Sequence, residues 1–251
     1  MREIGRSGHA GRYVDLLSFI WNKFEQSGYV TLYAEDQPRL GTFQAHYHGF
    51  EIPPVDHYMR PFWLAASESS LDATSQPNCL GSVPKHQYTL DYLADFFRKY
   101  KSVPKFAFGF LSEFNKSQVV DDDLLSFLKL LKKEKHLENT LLVILGDHGK
   151  SYGPLRSTIA GKLEESLPYL SLAFPAGFKT RYSRLMANLK TNRNRLTTAF
   201  DVHKTLMTLL DINSTQVRAV NQNIIPMLPE FYVSWNSVDN ISCKITEKAC
   251  R

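Results

Sequence analysis

Apolar positions change period along this chain, and the changes outline its elements. Val14, Leu17, Trp21 and Phe24 recur at helical spacing, and Gly28 is a natural helix stop. Residues 29–34, "YVTLYA", then read as a strand, which predicts a first helix–strand unit. A polar, turn-rich stretch follows. Pro53, Pro54, Pro61 and the run "SESSLDATSQPNCLGSVP" over 67–84 predict a long surface excursion. Helical spacing resumes over 88–100, and the aromatic run "KFAFGFL" at 105–111 predicts a second strand. In "DDDLLSFLKLLKKEK", Leu124, Phe127, Leu128 and Leu131 form one apolar stripe. The predicted helix places Asp121, Asp122 and Asp123 at its positive end and Lys129, Lys132 and Lys133 toward its negative end, a solvated face rather than a binding patch. Strands at 140–145, "TLLVIL", and 167–174, "LPYLSLAF", are separated by a loop, and helices near 182–189 and 198–210 complete the pattern.

Strands alternating with helices predict an α/β fold, a mostly parallel sheet with helices on both faces. Ligands of such sheets bind beyond the carboxyl ends of the strands. With 251 residues, 43% of them hydrophobic, the chain has enough apolar surface for a full core, which argues against disorder. The net charge of +5 comes from scattered Lys and Arg without the dense basic block of a nucleic-acid groove, so nucleic acid is not an expected partner and an anionic substrate is. No apolar run reaches the ~18 residues of a membrane span, and "MREIGRSGHAGRYVDLL" has no apolar signal core. Cys79, Cys243 and Cys250 lack zinc-type pairing, and a Cys243–Cys250 bridge is one option. Sequons at Asn115, Asn213 and Asn240 lean toward the secretory pathway, hence an extracellular or lumenal setting.

The chemistry is concentrated where "LLVIL" runs into Gly146-Asp147-His148-Gly149. A carboxylate and an imidazole side by side at a strand end can turn toward one cation, and the flanking glycines relax the backbone for it. The alternative is a plain loop in which Asp147 caps the next segment and His148 is partly exposed. Two ligands also fall short of the three or four that zinc takes.

From about Phe19 to Leu210 the chain resembles the DUF229 family, placed in the sulfatase-like branch of the alkaline phosphatase superfamily. The resemblance is carried in order by "FIWNKFEQSGYVTLYAED", "PPVDHYMRPF", "PNCLG", "DYLADFFRKY", "LENTLLVILGDHGKSYGPLR", "GKLEESLPYLSLAFP" and "NRLTTAFDVHKTL". It implies a parallel sheet carrying one or two divalent cations (zinc, calcium or manganese) and attack on a phosphate or sulfate ester. Asp147 and His148 match the late metal-ligand pair, Lys162 matches a lysine that reaches the anion, and Arg156 is a further candidate of that kind. The resemblance divides the chain into a lead-in at 1–18, a partial sulfatase-like α/β domain at 19–212 and a divergent tail at 213–251.

Departures from the family pattern are equally informative. Nothing in "MREIGRSGHAGRYVDLLS" resembles the segment that carries the first metal-binding aspartate and the nucleophile. Glu113 to Ser117 replace a Ser-His-Asp stretch with one that has no histidine. No residue is therefore assigned as catalytic, and the chain is expected to be incomplete at its N-terminus and inactive by itself as a metal-dependent ester hydrolase. Two other readings stand beside this: a non-catalytic extracellular domain that binds an anionic glycan or lipid head group, and a fragment whose unpaired sheet edge prevents independent folding.

Several residues carry two readings. Glu35 and Asp36 at a strand end suit metal contact or structural capping. His46 and His48 have strand-face spacing but no carboxylate partner in view. Asp56, His57, Tyr58 and Arg60 lie in a proline-framed loop where Arg60 meets an anion or ties the loop down. Asp201 reads as a helix cap and His203 as a packing residue.

Overall fold

The computed structural model describes residues 13–112, 117–149, 153–193 and 195–212. The chain forms two compact units, the first ending its main run at Lys133 and the second beginning at Glu134.

The first unit contains, in chain order, α1 (Ile20–Gln26), β1 (Val30–Glu35), β2 (His57–Tyr58), α2 (Arg60–Ser67), α3 (Ser70–Thr74), β3 (Cys79–Leu80), β4 (Val83–Pro84), α4 (Lys85–Lys99), β5 (Lys105–Phe110) and α5 (Ser117–Lys133). Its main sheet is parallel in the order β2-β1-β5, with Leu32 opposite Ala107 and Tyr33 opposite Phe108. Strand alternation assigns these pairs to opposite faces. On one face Trp21 of α1 stacks on Tyr33 at 5.5 Å and Phe24 stacks on Phe106 at 4.4 Å. On the other, a Cβ on Gly109 would lie 2.9 Å from Leu93 of α4, so a residue without a side chain lets the helix approach. The α/β fold, with helices on both faces of a parallel sheet, is thus what the alternating pattern predicts.

Two local expectations change. The 14–24 spacing becomes a helix only from Ile20, because residues 14–17 are tied across the fold instead. Val14 N–H donates to the Gly49 carbonyl at 2.9 Å, and the Asp15 carboxylate accepts from Glu51 N and Ile52 N. Asp15 loses some hydration on packing, and those amide hydrogen bonds outweigh that loss and lower its pKa. The stop at Gly28 holds, with φ at +82°. The predicted excursion, from Pro53 through 67–84, is also more ordered than its polarity implies. Arg60–Ser67 is helical with Pro61 in its first turn, where the missing N–H is harmless, and Trp63 is 2% exposed. Cys79 starts a short antiparallel hairpin and is disulfide-bonded.

The charge pattern of α5 needs the same correction. Its helix begins at Ser117, which moves Asp121, Asp122 and Asp123 out of the first turn. Asp123 Oδ2 lies instead 2.8 Å from Nε2 of the fully buried His86 on α4.

Aromatic packing makes the first unit sensitive to alkali. Burial, then the nearby Glu35 charge and the hydrogen bond to it, push the Tyr33 phenol well above its ordinary range. Burial pushes Tyr58 up to about 12, with Arg60 pulling the other way. The folded chain therefore keeps protons that the unfolded chain releases from about pH 10. Stability is intact below that pH and falls as pH rises toward 12, with Tyr58 alone contributing roughly 2 kcal/mol. Urea unfolding at pH 8, 10 and 11 checks this: a midpoint that stays level to pH 11 contradicts the assignment.

The second unit contains β6 (Leu142–Leu145), a 3₁₀ turn (Pro154–Ser157), α6 (Ile159–Ser166), β7 (Leu170–Ala173), α7 (Ala176–Arg181), α8 (Ser183–Asn192) and α9 (Ala199–Asp211). Here β6 and β7 form an antiparallel pair, Leu142 opposite Ala173 and Leu145 opposite Leu170. The predicted loop between them contains α6, capped by Thr158, whose hydroxyl accepts from Gly161 N at 3.0 Å. The end of α6 returns to the carboxyl end of β6, where Gly149 N–H donates to the Glu165 carbonyl at 3.0 Å. Re-entering at that end, β7 runs antiparallel. Leu170, Leu172 and Phe174 pack against Val143, Met186, Leu189, Val202 and Leu209. Among the described residues no helix is long and apolar enough to cross a membrane.

Candidate metal centre

The turn at 146–149 is built by β6, β7 and α6 together. Gly146 N–H donates to the Tyr169 carbonyl at 2.9 Å, which extends the strand ladder by one bond. Gly149 lies directly against the end of α6: a Cβ there would be 1.9 Å from the Glu164 carbonyl oxygen. Only glycine permits that approach. Between these two anchors Asp147 and His148 project outward with half-exposed side chains, 49% and 48%.

Local hydrogen bonds orient both groups. Asp147 Oδ1 accepts from His148 N at 2.9 Å. His148 Nδ1 is 2.6 Å from the Gly149 carbonyl oxygen, and a carbonyl only accepts, so the ring proton resides on Nδ1. In the neutral ring Nε2 then carries the lone pair, and it is 3.7 Å from Asp147 Oδ2. Zinc donors at about 2.0–2.2 Å from the ion can lie up to roughly 4 Å apart, so this pair fits two positions on one cation. The Nδ1 contact is the outer-shell hydrogen bond that metal-binding histidines commonly have. Among the described residues no group of three or more His, Cys, Asp or Glu converges on one point.

The anion-binding candidates are near in the same unit. Arg156, in the 3₁₀ turn, has Nε 3.5 Å from Glu165 Oε2, and Glu165 is the residue whose carbonyl receives Gly149 N–H. Lys162 is exposed on α6, one turn before Glu165. Thus Asp147, His148 and Arg156 are linked through Gly149 and Glu165. Adjacency in the sequence marks Gly149 only as a flexible flank of the pair and gives Glu165 no role. The signal was available in part, since Thr158 followed by "IAGKLEES" is a helix-start pattern.

Arg60 belongs to the first unit, where its Nε donates to the Pro38 carbonyl at 3.0 Å and tethers that loop. Asp56 binds back to β1, accepting from Thr31 N at 2.8 Å and Thr31 Oγ1 at 3.0 Å. His57 Nε2 is 2.7 Å from Tyr100 Oη, and Tyr58 stacks on Tyr33. Glu35 and Asp36 are buried staples: Glu35 accepts from Tyr33 Oη, Thr42 N and Thr42 Oγ1, and Asp36 accepts from Ser112 N at 2.9 Å. His46 and His48 lie in a loop rather than a strand, and the His48 ring packs against Tyr13. Asp201 caps α9, accepting from Thr198 N and Thr198 Oγ1, both at 2.8 Å. His203 is partly buried on the same helix. Asn115, Asn213, Asn240, Cys243 and Cys250 lie outside the described residues.

No curated protein and no solved structure matches this chain. The family model described as "Protein of unknown function (DUF229)" matches residues 3–227, and the chain belongs to that family.

Proposed function

We propose that the 146–165 segment is one half of a divalent-cation site for phosphate or sulfate esters, on a sulfatase-like scaffold, and that this chain alone does not complete the catalytic set. The observation that carries this reading is the orientation of His148. Its Nδ1 is held on the Gly149 carbonyl, and its Nε2 lone pair is presented beside the Asp147 carboxylate.

Asp147 and His148 would hold the cation; an imidazole donor favours zinc over calcium and over manganese, which sits at the weak end of the divalent series. A cation bound there offsets charge on the transferring group and lowers the pKa of an attacking oxygen. Arg156 and Lys162 supply positive charge for the ester's remaining oxygens, Arg156 being oriented by Glu165. Two donors leave the other coordination positions to water, which weakens retention of the ion, and no residue of this chain is assigned as nucleophile. The disulfide at Cys79 supports an extracellular or lumenal setting, because cytosolic thiols are kept reduced.

Titration calorimetry with zinc and manganese tests the assignment. The full chain should bind about one equivalent, and Asp147→Ala and His148→Ala should each weaken binding by at least ten-fold, about what losing a supporting contact costs. Affinity unchanged by either substitution rules the pair out as ligands. The wild-type chain should show no turnover of p-nitrophenyl phosphate or p-nitrophenyl sulfate; metal-dependent turnover abolished by Asp147→Ala refutes the incompleteness.

A further inference from the structure

Residues 166–200 contain six basic residues, from Lys179 to Arg195, and no acidic one. Spread along the sequence they do not look like a patch. Three of them and one further cation fall within fifteen residues: Lys190 in the last turn of α8, Arg193 and Arg195 just after it, and Lys204 one helical turn beyond Phe200 on α9, all four exposed. Among these cations two large apolar side chains face solvent, Leu196 at 80% exposure and Phe200 at 66%. Phe200 and Lys204, four apart on one helix, share a side. The nearest acid, Asp201, has its carboxylate turned back onto Thr198 N and Oγ1, where it fixes the start of α9.

We infer that the α8–α9 junction of the second unit docks onto an anionic phospholipid layer. Charge complementarity selects the partner's sign, since four exposed cations fall between residues 190 and 204 and the one carboxylate in that stretch is spent on a helix cap. The apolar pair selects a lipid surface over a soluble polyanion. A sulfated glycan pairs with cations but gains nothing from Leu196 and Phe200, whereas a headgroup–acyl boundary buries them. The other exposed apolar stripe, Ile159 and Leu163 on α6, has Glu164 and Glu165 beside it, which such a layer repels. This inference does not depend on the hydrolase reading.

Co-sedimentation of the full chain with vesicles tests it, comparing pure phosphatidylcholine with phosphatidylcholine containing about 30 mol% phosphatidylserine, an anionic fraction that attracts basic segments. Binding should require phosphatidylserine and fall with salt. Arg193→Gln and Arg195→Gln should each lower the partition coefficient about five-fold. The double variant Leu196→Ser with Phe200→Ser should lower it ten-fold or more, an order-of-magnitude expectation for two buried apolar side chains, and should leave heparin binding unchanged. These side chains are exposed, so the variants should keep the wild-type circular dichroism spectrum, and only folded variants are compared. Binding indifferent to phosphatidylserine overturns the inference. So does an unchanged partition coefficient in the Leu196–Phe200 variant, with heparin the tighter ligand, which assigns the junction to a polyanionic glycan. Concentration-dependent dimerisation abolished by that variant, without vesicle binding, assigns it to a second copy of the chain and equally overturns the proposal.

Discussion

Gly149→Ala should destabilise the second unit by about 3 kcal/mol, while Gly146→Ala, three residues earlier in the same turn, should cost less than about 1 kcal/mol. The two glycines flank Asp147 and His148 symmetrically in the sequence but not in space. A Cβ on Gly149 would lie 1.9 Å from the Glu164 carbonyl oxygen, 2.6 Å from the Glu164 carbonyl carbon and 3.0 Å from the Glu165 Cα. All three are backbone atoms, so no side chain can rotate away. Either the end of α6 moves or the Gly149 N–H bond to the Glu165 carbonyl breaks. A Cβ on Gly146 meets nothing closer than 3.6 Å, an ordinary contact. Urea denaturation, with hydrogen exchange read at residues 142–145 and 170–173, separates the two. Equal losses from both substitutions mean that α6 does not press on the turn as described. The alanine at 149 should also weaken zinc binding, because the carbonyl that orients the His148 ring belongs to the displaced residue.

Glu35→Ala should destabilise the first unit by about 3 kcal/mol, the range found when a buried acceptor is removed from several donors. Glu35 is 7% exposed and accepts from Tyr33 Oη, Thr42 N and Thr42 Oγ1. Its loss leaves the hydroxyl of a fully buried Tyr33 without that partner and frees the turn at 42. Glu25→Ala on the exposed side of α1 is the control, with an expected change within about 0.5 kcal/mol. Thermal denaturation of the two variants suffices. A Glu35 effect no larger than the Glu25 effect contradicts the staple. The substitution should also lower the Tyr33 pKa, since the Glu35 charge and hydrogen bond are two of the causes that raise it. The alkaline loss of stability should then begin less steeply in Glu35→Ala than in the wild type.

These residues show how far local pattern carries. Periodicity located β1, α4, β5, β6, β7 and α9 because each is an element whose apolar positions repeat at one period. It failed at residues 14–17, where hydrogen bonds to Gly49, Glu51 and Ile52 compete with helix. The polar stretch from Pro53 to Pro84 reads as a surface excursion, yet Arg60–Ser67 within it is a helix that buries Trp63. Polarity reports exposure on average and says nothing of one tryptophan turned inward. The Asp121–Asp123 run was read as a dipole partner on spacing alone, but the helix begins a turn earlier, and the position of His86 decides what Asp123 does.

The adjacency of Asp147 and His148, the glycines around them and the alternation that makes an α/β fold were all properties of neighbouring residues, and a reader of the sequence alone obtains them. Strand direction was not: α6 returns the chain to the carboxyl end of β6, where Gly149 N–H meets the Glu165 carbonyl sixteen positions on, and β7 therefore runs against β6. The same is true of the histidine tautomer, of the link between Arg156 and the turn, and of the exposure of Leu196 and Phe200 beside the cations of 190–204. Periodicity records which way a side chain faces along its own element, whereas direction, tautomer and the exposure of an apolar side chain depend on which element lies next to it, and that is decided only when the chain has packed.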